Sequence, residues 1–149
     1  RTSRGLGDVY KRQIVNRTGD RGQELAALVD SHTNAQAAFA PWTPGFSIPD
    51  GTDIAVNATS VGFHPNAEAT LDVDTSSFTS RMVVADVVAN PPMTRWLQAA
   101  ADAGCTPLTG LGMLVNQALV NARLWTGQTL NADVMHHALQ QALEIEEKS

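Results

Sequence analysis

Short apolar runs alternate along this chain with longer segments in which apolar residues recur at every third or fourth position. The runs predict strands at Ile14-Val15 and at residues 35–39, 53–58, 81–88 and 106–109. The periodic segments predict helices at residues 20–30, 94–103, 111–125 and 131–147. Strands that alternate with helices in this way indicate βαβ units, and therefore a doubly wound, Rossmann-like α/β fold with a parallel sheet.

Details of the same pattern predict where individual elements begin and which residues they bury. Thr18 is a suitable N-cap for the first helix, in which Leu25, Leu28 and Val29 share one face. The run at residues 81–88 is nearly all apolar, as expected of a strand that is covered on both faces.

Composition narrows the class of protein. A chain of 149 residues with 43% hydrophobic residues is expected to form one soluble globular domain. No apolar run approaches the roughly 18 residues that span a bilayer, so no membrane partner is expected. The lone Cys105 cannot form an internal disulfide, which favours a reducing cytoplasm, and the net charge of −5 argues against a nucleic-acid partner.

The N-terminal segment differs in charge from the rest of the chain. Four basic side chains and one acidic side chain give residues 1–13 a net charge of +3. The remaining six basic and 14 acidic side chains give residues 14–149 a net charge of −8. We therefore expect residues 1–13 to be disordered or foreign to the rest of the chain, with a short basic arm as the alternative.

Polar and small residues gather where the predicted strands end. In a parallel sheet, ligands bind beyond the carboxyl ends of the strands. Four such ends are expected to line one edge, at residues 16–18, 57–60, 86–90 and 109–113. The carboxylate of Asp86 ends a buried strand, where it needs a partner, and the backbone amides of residues 89–92 are the expected donors.

The first of these ends carries two arginines. An acidic residue here would hydrogen-bond the ribose 2′-hydroxyl of NAD, but Asn16, Arg17 and Thr18 offer no carboxylate. Arg17 and Arg21 instead present forked cationic donors that suit a 2′-phosphate, which indicates NADP. The alternative is that both arginines are ordinary surface charges, solvated or paired with a neighbouring carboxylate.

Further candidate residues follow the other strands. The hydroxyls of Thr59 and Ser60 could face a ligand, or the segment could be a simple turn. Gly110 could admit a ligand or only allow tight packing of helix on strand. Met113 and Gln117 lie one helical turn apart, roughly 6 Å along the axis. Met113 could pack on a nicotinamide ring or in the core, and Gln117 could bind a hydroxylated substrate or be solvated. The histidines show no metal-ligand spacing, so no metal is expected.

Five motifs, taken in order, resemble those of one known family. They are Asn16-Arg17-Thr18 with Arg21, residues 56–62, residues 86–94, residues 110–117 and residues 124–127. Their order and spacing resemble the C-terminal NADP-binding domain of shikimate dehydrogenases, including the shikimate/quinate dehydrogenase relatives. The family reduces 3-dehydroshikimate to shikimate with NADPH. The resemblance therefore implies an oxidoreductase that uses NADP and acts on a shikimate-like cyclic hydroxy acid.

The resemblance also implies roles for particular residues. The cofactor contacts that it implies are a 2′-phosphate clamp of Asn16, Arg17, Thr18 and Arg21, a loop with Thr59 and Ser60, and nicotinamide contacts from Val87, Gly110 and Met113. Gln117 matches a residue that hydrogen-bonds the substrate. Residues 14–127 would form the NADP-binding domain, and residues 128–149 a C-terminal helix that packs toward a substrate domain. The family also admits a homodimer of the full-length protein.

The chain departs from the family in three respects. It lacks the N-terminal domain that supplies most of the substrate pocket and a catalytic Lys–Asp pair, so no catalytic residue is assigned. It lacks the first Rossmann strand and glycine-rich loop, expected roughly 20 residues before Asn16. Ile14-Val15 and residues 54–56 should each lose a neighbouring strand, and the chain is expected to be an N-terminally truncated fragment that folds poorly alone.

The third departure concerns the substrate. A tyrosine that usually contacts substrate in the family is replaced here by Ala89. This replacement favours a paralogue that acts on quinate or a related cyclic hydroxy acid. A non-catalytic nucleotide-binding or regulatory module is the alternative from another functional class.

Overall fold

The computed structural model of the chain describes residues 11–146, divided into two compact units between Phe46 and Ser47. The first unit contains a βαβ arrangement of β1 (Lys11–Asn16), α1 (Gly19–His32) and β2 (Gln36–Pro41). The strands β1 and β2 pair in parallel, with Asn16 opposite Pro41. The predicted α/β class with parallel strands is therefore confirmed.

The first strand begins earlier than the sequence pattern predicted. Lys11, Arg12 and Gln13 form the first half of β1 and pair with residues 36–38 of β2. They belong to the fold rather than to a separate N-terminal segment. Residues 1–10, which complete that segment, lie outside the described residues.

Helix α1 packs on its two strands through small residues. Gly22 and Ala26 are buried, whereas Leu25 and Leu28 are 43% and 54% exposed. A Cβ placed on Gly22 would lie 2.3 Å from Cε2 of Phe39 on β2, so the ring of Phe39 occupies the space that a larger helix residue would need. The helix is where the pattern predicted it, but its leucines do not face the strands.

The second unit is built around a three-stranded parallel sheet. Its elements are β3 (Phe46–Ser47, which starts at the last residue of the first unit), β4 (Ile54–Asn57), β5 (Val73–Asp74), a 3-10 turn (Thr75–Ser77), β6 (Val83–Asp86), α2 (Arg95–Asp102), β7 (Thr106–Leu108), α3 (Leu111–Thr126) and α4 (Ala132–Glu146). The sheet order is β4-β6-β7, and β3 pairs with β5. Helix α3 contacts α4. Within residues 11–146, no helix combines the length and apolar character that crossing a membrane requires.

One face of this sheet carries the core. Helix α2 packs against β6 and β7. Met82, Val84 and Leu97 are almost fully buried there. Phe78 and Trp96 meet edge to face, with ring centroids 5.2 Å apart. Burial of these side chains supplies the main hydrophobic stabilisation of the unit.

The opposite face of the sheet is open, contrary to the prediction for residues 81–88. Along β6, Val84 and Asp86 are buried but Val83 and Ala85 are only half-buried. Val56 and Leu108, which align with Ala85 across the sheet, are 55% and 58% exposed. Helix α2 covers only the Val84 face, so the strand is not enclosed on both sides.

Two strand edges are open as well. Among the described strands, β1 is hydrogen-bonded only to β2, and β4 only to β6. This arrangement agrees with the prediction that Ile14-Val15 and residues 54–56 each lack one neighbouring strand. Because unpaired edges and exposed apolar faces weaken a sheet, we expect the 149-residue chain to have low stability.

Candidate functional site

The corner between β1 and α1 carries the first group of predicted site residues. Asn16 ends β1, and its side-chain Oδ1 accepts a hydrogen bond of 2.9 Å from the amide of Thr18. Thr18 occupies the N-cap position of α1, as predicted, but its side chain makes no capping hydrogen bond. The side chain of Asn16 therefore holds the turn from strand to helix.

Two cationic side chains project at this corner. Arg17 directly precedes the N-cap and Arg21 lies in the first turn of α1, and both are exposed. Neither guanidinium forms an ion pair or hydrogen bond with another residue of the part that the structure describes. The positive end of the α1 dipole lies beside them. The structure thus brings Asn16, Arg17, Thr18 and Arg21 together in a corner suited to an anion.

The second group of predicted residues lies in the second unit, at the carboxyl ends of β4 and β6. Asn57 and Asp86 are opposite each other in register, so the loops that follow them leave the sheet at one edge. Thr59 and Ser60 are exposed in the first of these loops. Val87 is half-buried, and its amide donates a hydrogen bond of 3.1 Å to the carbonyl of Asn57.

Gly110 lies between β7 and α3, against the backbone of residues 87 and 88. A Cβ at this position would lie 2.6 Å from the carbonyl oxygen of Val88 and 3.0 Å from that of Val87. Backbone atoms cannot move aside as a side chain can, so a glycine is required here. At Gly112, by contrast, a Cβ would meet no atom within 4 Å. Tight packing is therefore sufficient to explain Gly110.

Met113 and Gln117 share the exposed face of α3. Met113 is 42% exposed and Gln117 is also exposed, so the interpretation of Met113 as a core residue is wrong. The two side chains lie on one open surface of α3 together with Asn116, Val120 and Asn121. This face offers an apolar thioether next to amide donors and acceptors.

Asp86 is buried at the end of β6, but its partners differ from those predicted. Its Oδ1 accepts hydrogen bonds from the amide of Val88 (2.9 Å) and from Nδ2 of Asn57 (3.1 Å). Its Oδ2 accepts from Oγ1 of Thr94 at 2.6 Å. The prediction named the amides of residues 89–92, whereas these three donors are the amide of Val88 and two side chains from other parts of the second unit. Asn57 and Thr94 lie in segments that the sequence pattern singled out, but it did not identify them as partners of Asp86.

Cys105 belongs to the hydrophobic core of the second unit. Cys105 is buried, and its Sγ donates a hydrogen bond of 3.2 Å to the carbonyl of Thr79. Burial raises the pKa of the Cys105 thiol, an effect that outweighs the opposing influence of the hydrogen bond to Thr79. Among residues 11–146, no three His, Cys, Asp or Glu side chains are grouped so that they could hold a metal ion.

The chain is similar to known proteins in both sequence and structure. Residues 110–140 match the profile of the shikimate 5′-dehydrogenase C-terminal domain. The shikimate dehydrogenase (NADP⁺) of Methanopyrus kandleri is 37% identical over 129 residues, which cover 85% of this chain and 44% of that protein. The ligand-free structure of the 5-ketofructose reductase of Gluconobacter sp. strain CHM43 is 44% identical, with a TM-score of 0.81, over 89% of this chain and 48% of that one.

A third relative was crystallised with its ligands. The shikimate 5-dehydrogenase of Thermus thermophilus, in complex with NADP(H) and shikimate, is 29% identical with a TM-score of 0.69, over 88% of this chain and 46% of that one. The chain spans less than half the length of these relatives. The parallel α/β fold, the ordered motifs and these matches show that the chain belongs to the shikimate dehydrogenase family and corresponds to the C-terminal half of its members.

Proposed function

We propose that this chain is the NADP-binding half of a shikimate-dehydrogenase-type oxidoreductase. The observation that carries the proposal is the corner at the start of α1, where Arg17 and Arg21 are exposed and unpaired among the described residues. A dianionic 2′-phosphate can form hydrogen-bonded ion pairs with both guanidinium groups, whereas a ribose hydroxyl carries no charge and offers them only weaker hydrogen bonds. Asn16 and Thr18 shape the same corner and offer further polar contacts.

The residues of the second unit are assigned to the rest of the cofactor and to the substrate. Thr59 and Ser60 are proposed to border the cofactor, and the backbone at Val87 and Gly110 to contact its nicotinamide end. Met113 would pack near the ring and Gln117 would hydrogen-bond the substrate, as the family resemblance implies. Both side chains are exposed on α3, which supports these assignments.

The chemical step needs more than these residues supply. When bound, NADPH supplies a hydride, and reduction of a ketone also needs a proton donor at the carbonyl oxygen. In the family that donor belongs to the Lys–Asp pair of the N-terminal domain. We therefore propose that residues 14–127 bind the cofactor, that the C-terminal helix packs toward a substrate domain, and that the 149-residue chain alone is inactive.

The substrate has two candidate classes. The family resemblance points to shikimate or quinate, which are cyclic hydroxy acids. The second class is a sugar ketone, because the similar 5-ketofructose reductase is 44% identical while the shikimate dehydrogenase solved with shikimate is 29% identical. Ala89, at the position of a substrate-contacting tyrosine in the family, also favours a substrate other than shikimate. A cytoplasmic location and a small-molecule partner complete the proposal.

An activity assay tests this function. The complete gene product that contains these residues should oxidise shikimate or quinate with NADP⁺, or reduce 5-ketofructose with NADPH. We expect one of the two substrate classes to be turned over, and Gln117→Ala to raise KM for that substrate. A complete gene product that binds NADPH but turns over none of these substrates would instead indicate a non-catalytic nucleotide-binding module.

A further inference from the structure

The three buried polar or charged side chains among the described residues are hydrogen-bonded to one another. Asn57, Asp86 and Thr94 are 2%, 4% and 1% exposed. They come from three different places, namely the end of β4, the end of β6 and the N-cap of α2. We propose that this Asn57–Asp86–Thr94 junction is a positioning device that fixes the cofactor-binding loops relative to one another. The inference rests on the proposed function and extends it to residues that touch no ligand.

Asp86 is the centre of the junction. An ionised carboxylate can only accept hydrogen bonds, and the two oxygens of Asp86 receive three donors from three segments of chain. A buried carboxylate is strongly unfavourable without such partners. The three hydrogen bonds together offset the cost of burying one carboxylate. Displacing one of the three segments would therefore also weaken the hydrogen bonds from the other two.

Asn57 connects Asp86 to the loop that carries the hydroxyls of Thr59 and Ser60. Its Nδ2 donates to Asp86 and also to the carbonyl of Val61, at 3.2 Å. Its Oδ1 accepts from the amide and the hydroxyl of Thr59, at 3.0 and 2.7 Å. One amide side chain therefore sets the conformation of residues 58–61, which include Ser60, and ties that loop to the end of β6.

Thr94 connects the centre to α2. Its Oγ1 donates to Asp86 and accepts from the amide of Leu97 at 3.3 Å, so the same hydroxyl caps the helix. Capping alone does not require this arrangement. Asn131 caps α4 through the amides of Asp133 and Val134 while it is exposed. The burial of Thr94 and its hydrogen bond to Asp86 therefore serve a purpose beyond capping the N-terminus of α2.

The test compares two substitutions of Thr94 in the complete gene product that contains these residues. Thr94→Val keeps the shape but removes the hydroxyl, whereas Thr94→Ser keeps the hydroxyl. Isothermal titration with NADP⁺ should show roughly a tenfold rise in Kd for Thr94→Val and less than about a threefold rise for Thr94→Ser. Asn131→Ala is the matched control, because it removes a helix cap outside the junction and should lower stability without changing Kd.

A second variant tests the junction from its other end, independently of Thr94. Asn57→Ala should also raise Kd, and it should speed hydrogen exchange at the amide of Val88, because the side chain of Asn57 and that amide share Oδ1 of Asp86. If wild type binds NADP⁺ but neither substitution changes Kd, the junction is structural and the inference is overturned while the proposed function stands. If wild type does not bind NADP⁺ at millimolar concentration, the proposed function and the inference both fail.

Discussion

Replacing Arg17 and Arg21 together by alanine is expected to raise the Kd for NADPH by roughly a hundredfold, while the Kd for NADH stays within about twofold of its wild-type value. Each guanidinium is exposed and has no anionic partner among the described residues, so it is available to the 2′-phosphate. A charge-assisted hydrogen bond contributes about 1.5–3 kcal/mol, and the loss of two such bonds supports this magnitude. NADH lacks the 2′-phosphate, so its affinity should change little in the double variant.

The control for this experiment is a third exposed arginine. Arg81 precedes β6 in the second unit, and Arg81→Ala changes the net charge by the same amount as either single substitution. It should leave both dissociation constants unchanged. An equal loss of NADPH and NADH affinity in the double variant would show that the arginines support the fold or attract any anion, which contradicts a specific clamp. The NADPH preference should also decrease with added salt, because exposed charges are screened.

Gly110→Ala is expected to lower the free energy of unfolding by about 2–3 kcal/mol, the upper part of the range for overpacked sites. The added methyl group would overlap the carbonyl oxygen of Val88, at 2.6 Å, and could fit only if α3 or the backbone of residues 87 and 88 moved. Because the same backbone is assigned to the nicotinamide end of the cofactor, NADPH affinity should fall as well. Urea denaturation followed by circular dichroism measures the first effect.

Gly112→Ala supplies the matched comparison. Gly112 lies two residues further on, in the first turn of α3, and no atom lies within 4 Å of its Cβ position. Alanine there should leave stability unchanged or raise it by up to about 1 kcal/mol, because alanine favours helix. Similar destabilisation by both substitutions would show that the close approach at Gly110 is not the cause.

The sequence pattern predicted the longer elements well, for a physical reason. Apolar residues recur at every third or fourth position in α1, α2 and α3, whereas β6 lies in a nearly continuous apolar run, so these elements could be distinguished before any contact was known. The two-residue strands β3 and β5 are too short to show a period. The sequence pattern also could not predict which face of α1 packs on the strands, because this depends on the ring of Phe39, which fills the space at Gly22.

One part of the candidate site could be predicted from the sequence and another part could not. The basic corner at Arg17 and Arg21 could be predicted because adjacent residues in sequence form it. The junction could not, because its hydrogen bonds join residues far apart in the chain, 29 positions between Asn57 and Asp86 and eight between Asp86 and Thr94. Sequence indicated that Asp86 needed partners, and only the register of β4 against β6 identifies Asn57 as one of them.

The most direct test of the NADP assignment uses only the part of the cofactor that the corner should recognise. Titration of the 149-residue chain with adenosine 2′,5′-bisphosphate and with adenosine 5′-monophosphate isolates the 2′-phosphate from the nicotinamide and its pyrophosphate. We predict that the bisphosphate binds at least roughly tenfold more tightly, and that this advantage disappears in the Arg17→Ala, Arg21→Ala variant. Equal affinity of the wild-type chain for the two nucleotides would contradict the assignment.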